Sequence, residues 1–595
     1  MRRVLLSIVT GVLTGTLVLG VAWATSGLIP VERTPSGDSI GNASSGKGGP
    51  IPGTDVKAIV QGGRLPDGLF RVGGADVSIA PVQYPEGLWL KHDASESTAD
   101  PGDMSDGDIN CNVLHNSAES GEAQFYWPFA KPSCLKTFDA RWATTVDEAS
   151  DLGIFARATA ISNGETTLAF AAIDTVSWFY GFDPRYCPDD PAAVMPQDTC
   201  GARAIANSLS QEMAEQGIDL PPANVAISAT HTHASADTTM GGPSWYLEQV
   251  RDAIKQAITE AVGNMQLATL ETGAGSAKPF NVDRRLVTRA IPDPELTWLR
   301  AVATPPAGGD PGKVQPGETI STLVNFSVHT TVTAGNKDLH SGFVGHLAQE
   351  LREHWGGNAV FMVGGLGDQT VHRGFGRDGH GHGLAHVVVD SALSNGYTLR
   401  SNDIVTRQDI ITVPGDNLSL VGANKANIFV RDTTVPGPHA DGPSTSIQQK
   451  GGANTPSCVG AAPLSAKAPV GGFLIGTPGS GNVKDDPENY QGDAVAIMLT
   501  PGEIFASISV ITKDYLSKTR NVMVFGNAND HIGYIIPAQQ YDIRSANAGG
   551  LAAPSHNMTD YEEALSTGRC TGDQVQNALL DIATELGIVG IGEGR

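Results

Sequence analysis

Basic residues are scarce in this chain. Lys and Arg number 39 against 63 Asp and Glu, a formal charge of -24. A surface able to grip a phosphate backbone, or to dock on anionic lipid by charge, is therefore not expected, and nucleic acid is set aside as a partner. A lipid-like substrate held through its hydrocarbon part needs no cationic surface and stays open. An internal repeat of fixed period is also lacking, which excludes a solenoid or a propeller. No cysteine stands near the N-terminal apolar run, so a lipoprotein anchor is not expected. Charged residues make up only 17% of the chain, whereas Gly (71) and Pro (36) are abundant. That balance predicts many long loops.

With 595 residues, the chain can hold several average domains or one large α/β domain with insertions. Arg2 and Arg3 precede an apolar run, Val4–Val21, and Ala22-Trp23-Ala24 follows it. Residues 1–24 therefore read as a signal peptide, with an uncleaved anchor and membrane association through residues 4–21 as the alternative. Either way the protein is exported: secreted, periplasmic or held at the cell surface. Residues 25–60 are a Gly/Ser/Pro-rich linker, and residues 83–145 and 415–490 are polar, Gly/Pro-rich segments read as insertions. Export makes disulfides of the six cysteines. Cys187 and Cys200 bracket a proline-rich loop, Cys111 and Cys134 share one insertion, and Cys458 and Cys570 remain.

The stretch Asn224–His233, NVAISATHTH, begins as a buried strand. Strand alternation puts Val225, Ile227, Ala229, His231 and His233 on one face. Two imidazoles at the end of an apolar face suit a metal ion or a catalytic cleft, while a hydrogen-bonded pair beside a loop is the plain alternative. Four further segments repeat the pattern. Strands at Ile320–Val328, Asn358–Val363, Ala494–Leu499 and Val522–Phe525 lead into His329, Gly364–Asp368, Thr500–Glu503 and Asn527–Tyr534. Helices are expected at Cys200–Gln216, Trp245–Met265 and Asp573–Leu586, and a hairpin at Phe155–Ile161 and Thr167–Ile173 about Asn163-Gly164. Alternating strands and helices predict a layered α/β domain: a mixed β-sheet with flanking helices and long loop insertions. Its site should lie beyond the carboxyl ends of the strands.

Each candidate also has an ordinary reading. His329 alone is a lone histidine after a strand. Glu503, placed in the first turn of a helix, is a carboxylate favoured by the dipole. Tyr534 is a half-buried tyrosine, and Asp368 follows glycines that let backbone approach a ligand. His372, His380, His382 and His386 lie in glycine-rich sequence and read as a flexible polar loop over the site rather than as a second metal centre. Shared position at strand ends is what raises the first four.

Taken in order, Asn224–His233 with its THTH, Asn325–His329 (NFSVH), Gly367-Asp368, Pro501-Gly502-Glu503 and Gly533-Tyr534 with Tyr541 beyond resemble the neutral/alkaline, non-lysosomal ceramidases over roughly residues 69–545. The resemblance implies that residues 61–595 form a catalytic domain. It implies a Zn2+ held by His231, His329, Glu503 and Tyr534, with His233 facing the substrate. Arg284, in Asp283-Arg284-Arg285, would bind the polar head, and Asp368, Thr370 and Tyr541 complete the expected catalytic set. The implied activity is zinc-dependent cleavage of the amide of an N-acyl lipid such as ceramide. A related zinc hydrolase of another small amide or ester, or a non-catalytic surface protein retaining the fold, are the alternatives. Two departures bear on the substrate and not on the metal. Thr370 stands where the family's hexapeptide has Ser, and no C-terminal β domain is expected after the last helix.

Overall fold

The computed structural model describes residues 63–80, 152–184, 187, 189, 197–235, 238, 244–285, 291–304, 317–332, 340–372, 374–415, 417, 431–432, 464–483, 492–541 and 561–589. All lie in one compact unit spanning residues 54–595. Residues 1–24, 25–60 and 83–145, expected to be signal peptide, linker and insertion, and most of 415–490 lie outside the described residues.

The larger sheet has nine strands: β1 (Phe70–Ser78), β2 (Phe155–Ser162), β3 (Thr167–Ile173), β4 (Val225–Ala229), β5 (Gln266–Ser276), β7 (Glu295–Ala303), β8 (Thr319–Phe326), β9 (Asn358–Val363) and the short β11 (Tyr397–Thr398). Its order is β4-β3-β2-β1-β5-β7-β8-β9, with β11 on β5. Only β3–β4 and β8–β9 pair in parallel. Those pairs are joined through helices, α1 (Ala202–Glu215) between β3 and β4 and α3 (Phe343–Trp355) between β8 and β9, as parallel neighbours require. A second sheet, β12 (Ile404–Gly415), β13 (Leu464–Ile475), β14 (Val495–Leu499) and β16 (Asn521–Phe525), runs in that order. Two two-stranded ribbons complete the set: β6 (Asn281–Asp283) with β10 (Gln369–Val371), and β15 (Glu503–Ile504) with β17 (Tyr534–Ile535). The remaining helices are α2 (Ser244–Gly263), α4 (Gly376–Asn395), α5 (Ala506–Tyr515), α6 (Tyr561–Ala564) and α7 (Thr571–Glu585).

Strand alternation sorts the side chains into four layers. On β3 and β9, Leu168, Phe170, Val360 and Met362 face the second sheet, meeting Phe473, Ile497 and Phe525. Phe170 contacts Phe473 and Phe525 edge-on, at 5.6 and 6.2 Å between ring centroids, a geometry that adds about 0.5–1.5 kcal/mol to simple burial. The intervening residues point outward. Ala169, Ala171, Val225 and Ile227 pack under α1 and α2, and Phe361 and Val363 under α3 and α4. The outer face of the second sheet is covered by α5 and α7. The expected mixed, layered α/β domain is therefore present, with helix, sheet, sheet and helix as its layers.

The ends of the large sheet's strand path come together. Asn358 on β9 donates to the Ala158 carbonyl on β2 (2.8 Å), and Thr330, after β8, donates to the Thr230 carbonyl after β4 (2.9 Å). Strands separated along the path thus discharge their C-terminal ends into one place.

Three expectations are corrected. Residues 376–395 form a helix, not a flexible loop. Glycine lowers intrinsic helicity there, but Gly381 sits where a Cβ would lie 2.4 Å from that of His346 on α3, so close helix packing overrides propensity. Glu503 is in strand β15 and not in a helix turn, since α5 starts only at Ala506. The 415–490 segment, read as loop, contains the twelve-residue strand β13. In addition, β5, β6, β7 and β10 were not anticipated. Cys187 is bonded to Cys200 as expected, and Cys570 is also disulfide-bonded. The pairings expected for Cys111, Cys134 and Cys458 fall outside the described residues. Among the described residues no helix is long and apolar enough to cross a membrane.

Candidate metal centre

His231 does not continue the strand. The face bearing Val225, Ile227 and Ala229 is the one packed under helices, and a strand carried on would bury the imidazoles among them. The strand ends at Ala229 instead. His231 then takes a left-handed conformation, φ 63°, fixed by bonds from Thr230 N–H to the Ile173 carbonyl and His231 N–H to the Thr175 carbonyl (2.8 and 3.0 Å). That turn moves both histidines of the THTH stretch off the expected face to the end of the sheet.

His231, His329 and Glu503 meet there, their ligand atoms all within 4.8 Å of one another. His231 Nε2 is 3.5 Å and His329 Nε2 3.1 Å from Glu503 Oε2. The three residues are 3%, 1% and 4% exposed. The other ring nitrogen of each histidine faces a backbone carbonyl, Val176 for His231 (2.6 Å) and Gln369 for His329 (2.8 Å). A carbonyl can only accept, so Nδ1 carries the proton and Nε2 presents a lone pair. Burial first, then neighbouring charge, pushes the pKa of His231 and His233 down to about 3 and that of His329 to about 4. The rings are neutral at ordinary pH. Burial alone would raise Glu503, but a proton entering the cluster settles on His231, His329 or His531 before the carboxyl, and the charge it brings there holds the Glu503 pKa below the ordinary range, so the carboxyl stays ionised. Neither lone pair can donate to Oε2, which is buried without a hydrogen-bond partner. Three acceptors aimed at one point fit a cation between them.

Other predicted residues take different places. His233 Nε2 is 3.1 Å from His231 Nε2. Tyr534 stands opposite Glu503 in the β15–β17 ribbon, and its hydroxyl accepts from Arg284 (3.0 Å). Arg284 also reaches His329 Nε2 (3.3 Å) and the Gly367 carbonyl (2.7 Å). Arg285 turns away to Glu563 (2.7 Å), so of the two arginines Arg284 borders the histidines. Asp368 accepts the Ala506 amide at the start of α5 (2.8 Å), and burial raises its pKa to about 7. Its carbonyl accepts the Arg284 amide (2.9 Å); both contacts fix backbone near the site. Thr370 lies on β10 opposite Val282, next to the residue whose carbonyl holds His329. Tyr541 donates to the Glu563 carbonyl (3.4 Å), alongside the arginine–glutamate cluster. Gly367 is needed where it stands, because a Cβ there would be 2.6 Å from the Glu503 carbonyl oxygen.

Two residues were missed. His531 Nε2 is 3.6 Å from Glu503 Oε1, with Nδ1 on Asn527 Oδ1 (3.0 Å). It lies within the expected strand-end stretch Asn527–Tyr534, which was the available signal. Glu562 pairs with Arg284 (3.0 Å), and burial lifts its pKa to about 7. Nothing local in the sequence marks it.

Comparison with solved structures places this architecture. The neutral ceramidase of Pseudomonas aeruginosa superposes with a TM-score of 0.52 at 13% identity, covering 88% of this chain and 76% of that one. The fold is ceramidase-like. A structure described as ceramidase complexed with C2 gives 0.51 at 14% identity over the same shares. No protein-family model matches the sequence, and no curated protein does.

Proposed function

We propose that this protein is an exported, zinc-dependent amidohydrolase of the ceramidase type, cleaving the amide of an N-acyl lipid to a fatty acid and an amine. The observation that carries the reading is the convergence of His231 Nε2, His329 Nε2 and Glu503 Oε2, all lone-pair donors. A non-catalytic surface protein has no use for such a set, and its buried carboxylate would cost stability for nothing.

His231, His329 and Glu503 would hold the ion, with Tyr534 beside Glu503 as the fourth ligand that the resemblance implies. A zinc ion bound there supplies Lewis-acid polarisation of a carbonyl and lowers the pKa of coordinated water to about 7. The Arg284 guanidinium, anchored by Gly367, Tyr534 and Glu562, directs positive charge at the imidazoles' open side. It is the donor best placed to stabilise an oxyanion, a role worth about 3–4 kcal/mol. His233, neutral and next to His231, can carry a proton at Nε2 towards a departing amine. Thr370 would only orient substrate. Its sequence neighbour His372 is exposed, and His372 Nδ1 accepts the Gly374 amide (3.2 Å), an arrangement unsuited to activating a threonine nucleophile.

The test is purified protein assayed for metal and turned over on two panels, N-acyl sphingoid bases and N-acyl amino acids. About one tightly held zinc and preference for the first panel support the proposal. Zinc with preference for the second panel moves it to a hydrolase of other small amides, and no metal with no turnover overturns it.

A further inference from the structure

We propose a second divalent transition-metal site, on the outer face of the α3–α4 helix pair. Along α3, His346, Glu350 and His354 recur every fourth residue and share one face; His382 and His386 do the same on α4. Glu350 is the meeting point. Its Oε1 is 3.2 Å from His354 Nε2 and 3.3 Å from His386 Nε2, and its Oε2 is 3.6 Å from His382 Nε2. The ligand atoms of Glu350, His354 and His386 all lie within 4.8 Å of one another, and the His354 and His386 rings are 5.9 Å apart.

The glycines around these histidines explain the geometry. A Cβ at Gly381 would strike His346, and one at Gly383 would come within 2.2 Å of the Phe280 ring. Glycine at 381 lets α4 approach α3 that closely, setting the histidine tips against Glu350, while glycine at 383 makes room for Phe280 outside α3. His380 and His372 take no part: His380 Nδ1 is bonded to the Gly376 carbonyl (2.8 Å), and His372 is held in its own turn.

Two imidazoles and one carboxylate, with the His382 imidazole on the carboxylate's other oxygen, make a nitrogen-rich donor set of the kind zinc, nickel or copper takes, whereas calcium and magnesium prefer oxygen ligands. Carrying ligands from two helices, the ion would staple α3 to α4. The chain leading into α3 touches the catalytic-side loop: His340 N–H donates to the Ala234 carbonyl, and Thr232 Oγ1 donates to the His340 carbonyl (both 3.0 Å). The staple therefore braces the helix behind the THTH turn without entering the buried site.

The experiment is Zn2+ titration by calorimetry of chelator-stripped full-length protein, with metal content after dialysis. Wild type should take up two equivalents. His354→Ala/His386→Ala should lose one, its affinity falling at least about 100-fold, with amide hydrolysis unchanged. The two side chains are 41% and 60% exposed, so the variant should fold, and Glu350→Gln gives an independent route to the same loss. His231→Ala should keep the surface equivalent and lose the buried one. If wild type and the double variant each bind one equivalent and His231→Ala binds none, the surface site is overturned while the buried centre stands. If wild type binds one equivalent that His231→Ala keeps and the double variant loses, the buried centre fails and the surface site stands.

Discussion

Replacing Glu503 by Gln isolates what the buried carboxylate does. In the metal-free protein this charge faces two lone pairs, so it is destabilising until a cation arrives. Gln keeps the volume but brings an N–H2 group that can donate to His231 Nε2 or His329 Nε2. The exchange should make the metal-free protein more stable, by about 1–3 kcal/mol, the cost of an unsatisfied buried group. Zinc at about a thousand times its Kd stabilises wild type by about 4 kcal/mol. At about 2 cal/mol/K per residue over the compact unit of residues 54–595, the unfolding entropy is at most about 1.1 kcal/mol/K, so each kcal/mol shifts Tm by at least about 1 °C. Scanning calorimetry should then show stripped wild type lowest, stripped Glu503→Gln higher by at least about 1–3 °C, and wild type with zinc at least about 4 °C above its stripped form. The variant should not respond to zinc through this site; carrying His354→Ala/His386→Ala in both proteins removes any surface contribution. An equal zinc shift in wild type and Glu503→Gln would refute the assignment of the carboxylate as a ligand.

Within the same centre, His231→Ala and His329→Ala should abolish tight zinc binding and turnover, whereas His233→Ala should retain zinc and lose about 10²–10⁴-fold in turnover; metal retention by His231→Ala with loss in His233→Ala would reverse their roles. Stability of the stripped protein should fall with acid. The folded pKa of His231 and His233 is about 3 against an unfolded value of about 6.5, so the unfolded chain binds the extra protons. The contribution is complete above about pH 6.5 and is lost as pH falls towards 3, at about 1.4 kcal/mol per pH unit for each histidine; a flat chemical-denaturation midpoint from pH 6.5 to 4 would contradict it. Thr370→Ala should keep zinc-dependent activity within about 10- to 100-fold of wild type, as for one lost hydrogen bond of about 1.5–3 kcal/mol, and a trapped acyl group on Thr370 would show the nucleophile to be the hydroxyl.

How much of this was legible depends on how local the cause is. Buried strands such as Asn358–Val363 and Asn521–Phe525 announce themselves by uninterrupted apolar sequence, and the polar residues after them were visible as a set. The bend that brings β9 back beside β2 is carried by Asn358 and Ala158, two hundred residues apart, and no periodicity encodes it. The α4 helix was hidden for a similar reason. Its glycines read as loop because their purpose is a partner helix elsewhere in the chain. Glu562 was invisible because its meaning is given by distant residues, Arg284 and Arg285.

Strain shows where these distant contacts are spent. Among the described residues, the non-glycine positions with positive φ are His231, Asn527 and Asn529; His231 is in the candidate centre, Asn527 holds His531 beside it, and Asn529 bonds to β4, the strand leading into His231. For His231 this conformation costs about 1–2 kcal/mol, for the asparagines less, and each is held by backbone or side-chain bonds to its neighbours. Asn529 is the clearest case: its N–H donates to the Ile227 carbonyl (2.6 Å), its Oδ1 accepts the Ile227 amide (2.8 Å) and its Nδ2 donates to the Val225 carbonyl (3.0 Å). The loop carrying His531 is thereby stitched along the edge of β4, the strand that carries His231. The loop after β16 is thus locked to the strand that leads into His231 before any ligand binds. An arrangement that costs stability, keeps histidines neutral and leaves a buried carboxylate oxygen without a donor is what a preorganised ion site requires. It has no evident use in a fold whose layers are already closed by Phe170, Phe473 and Phe525.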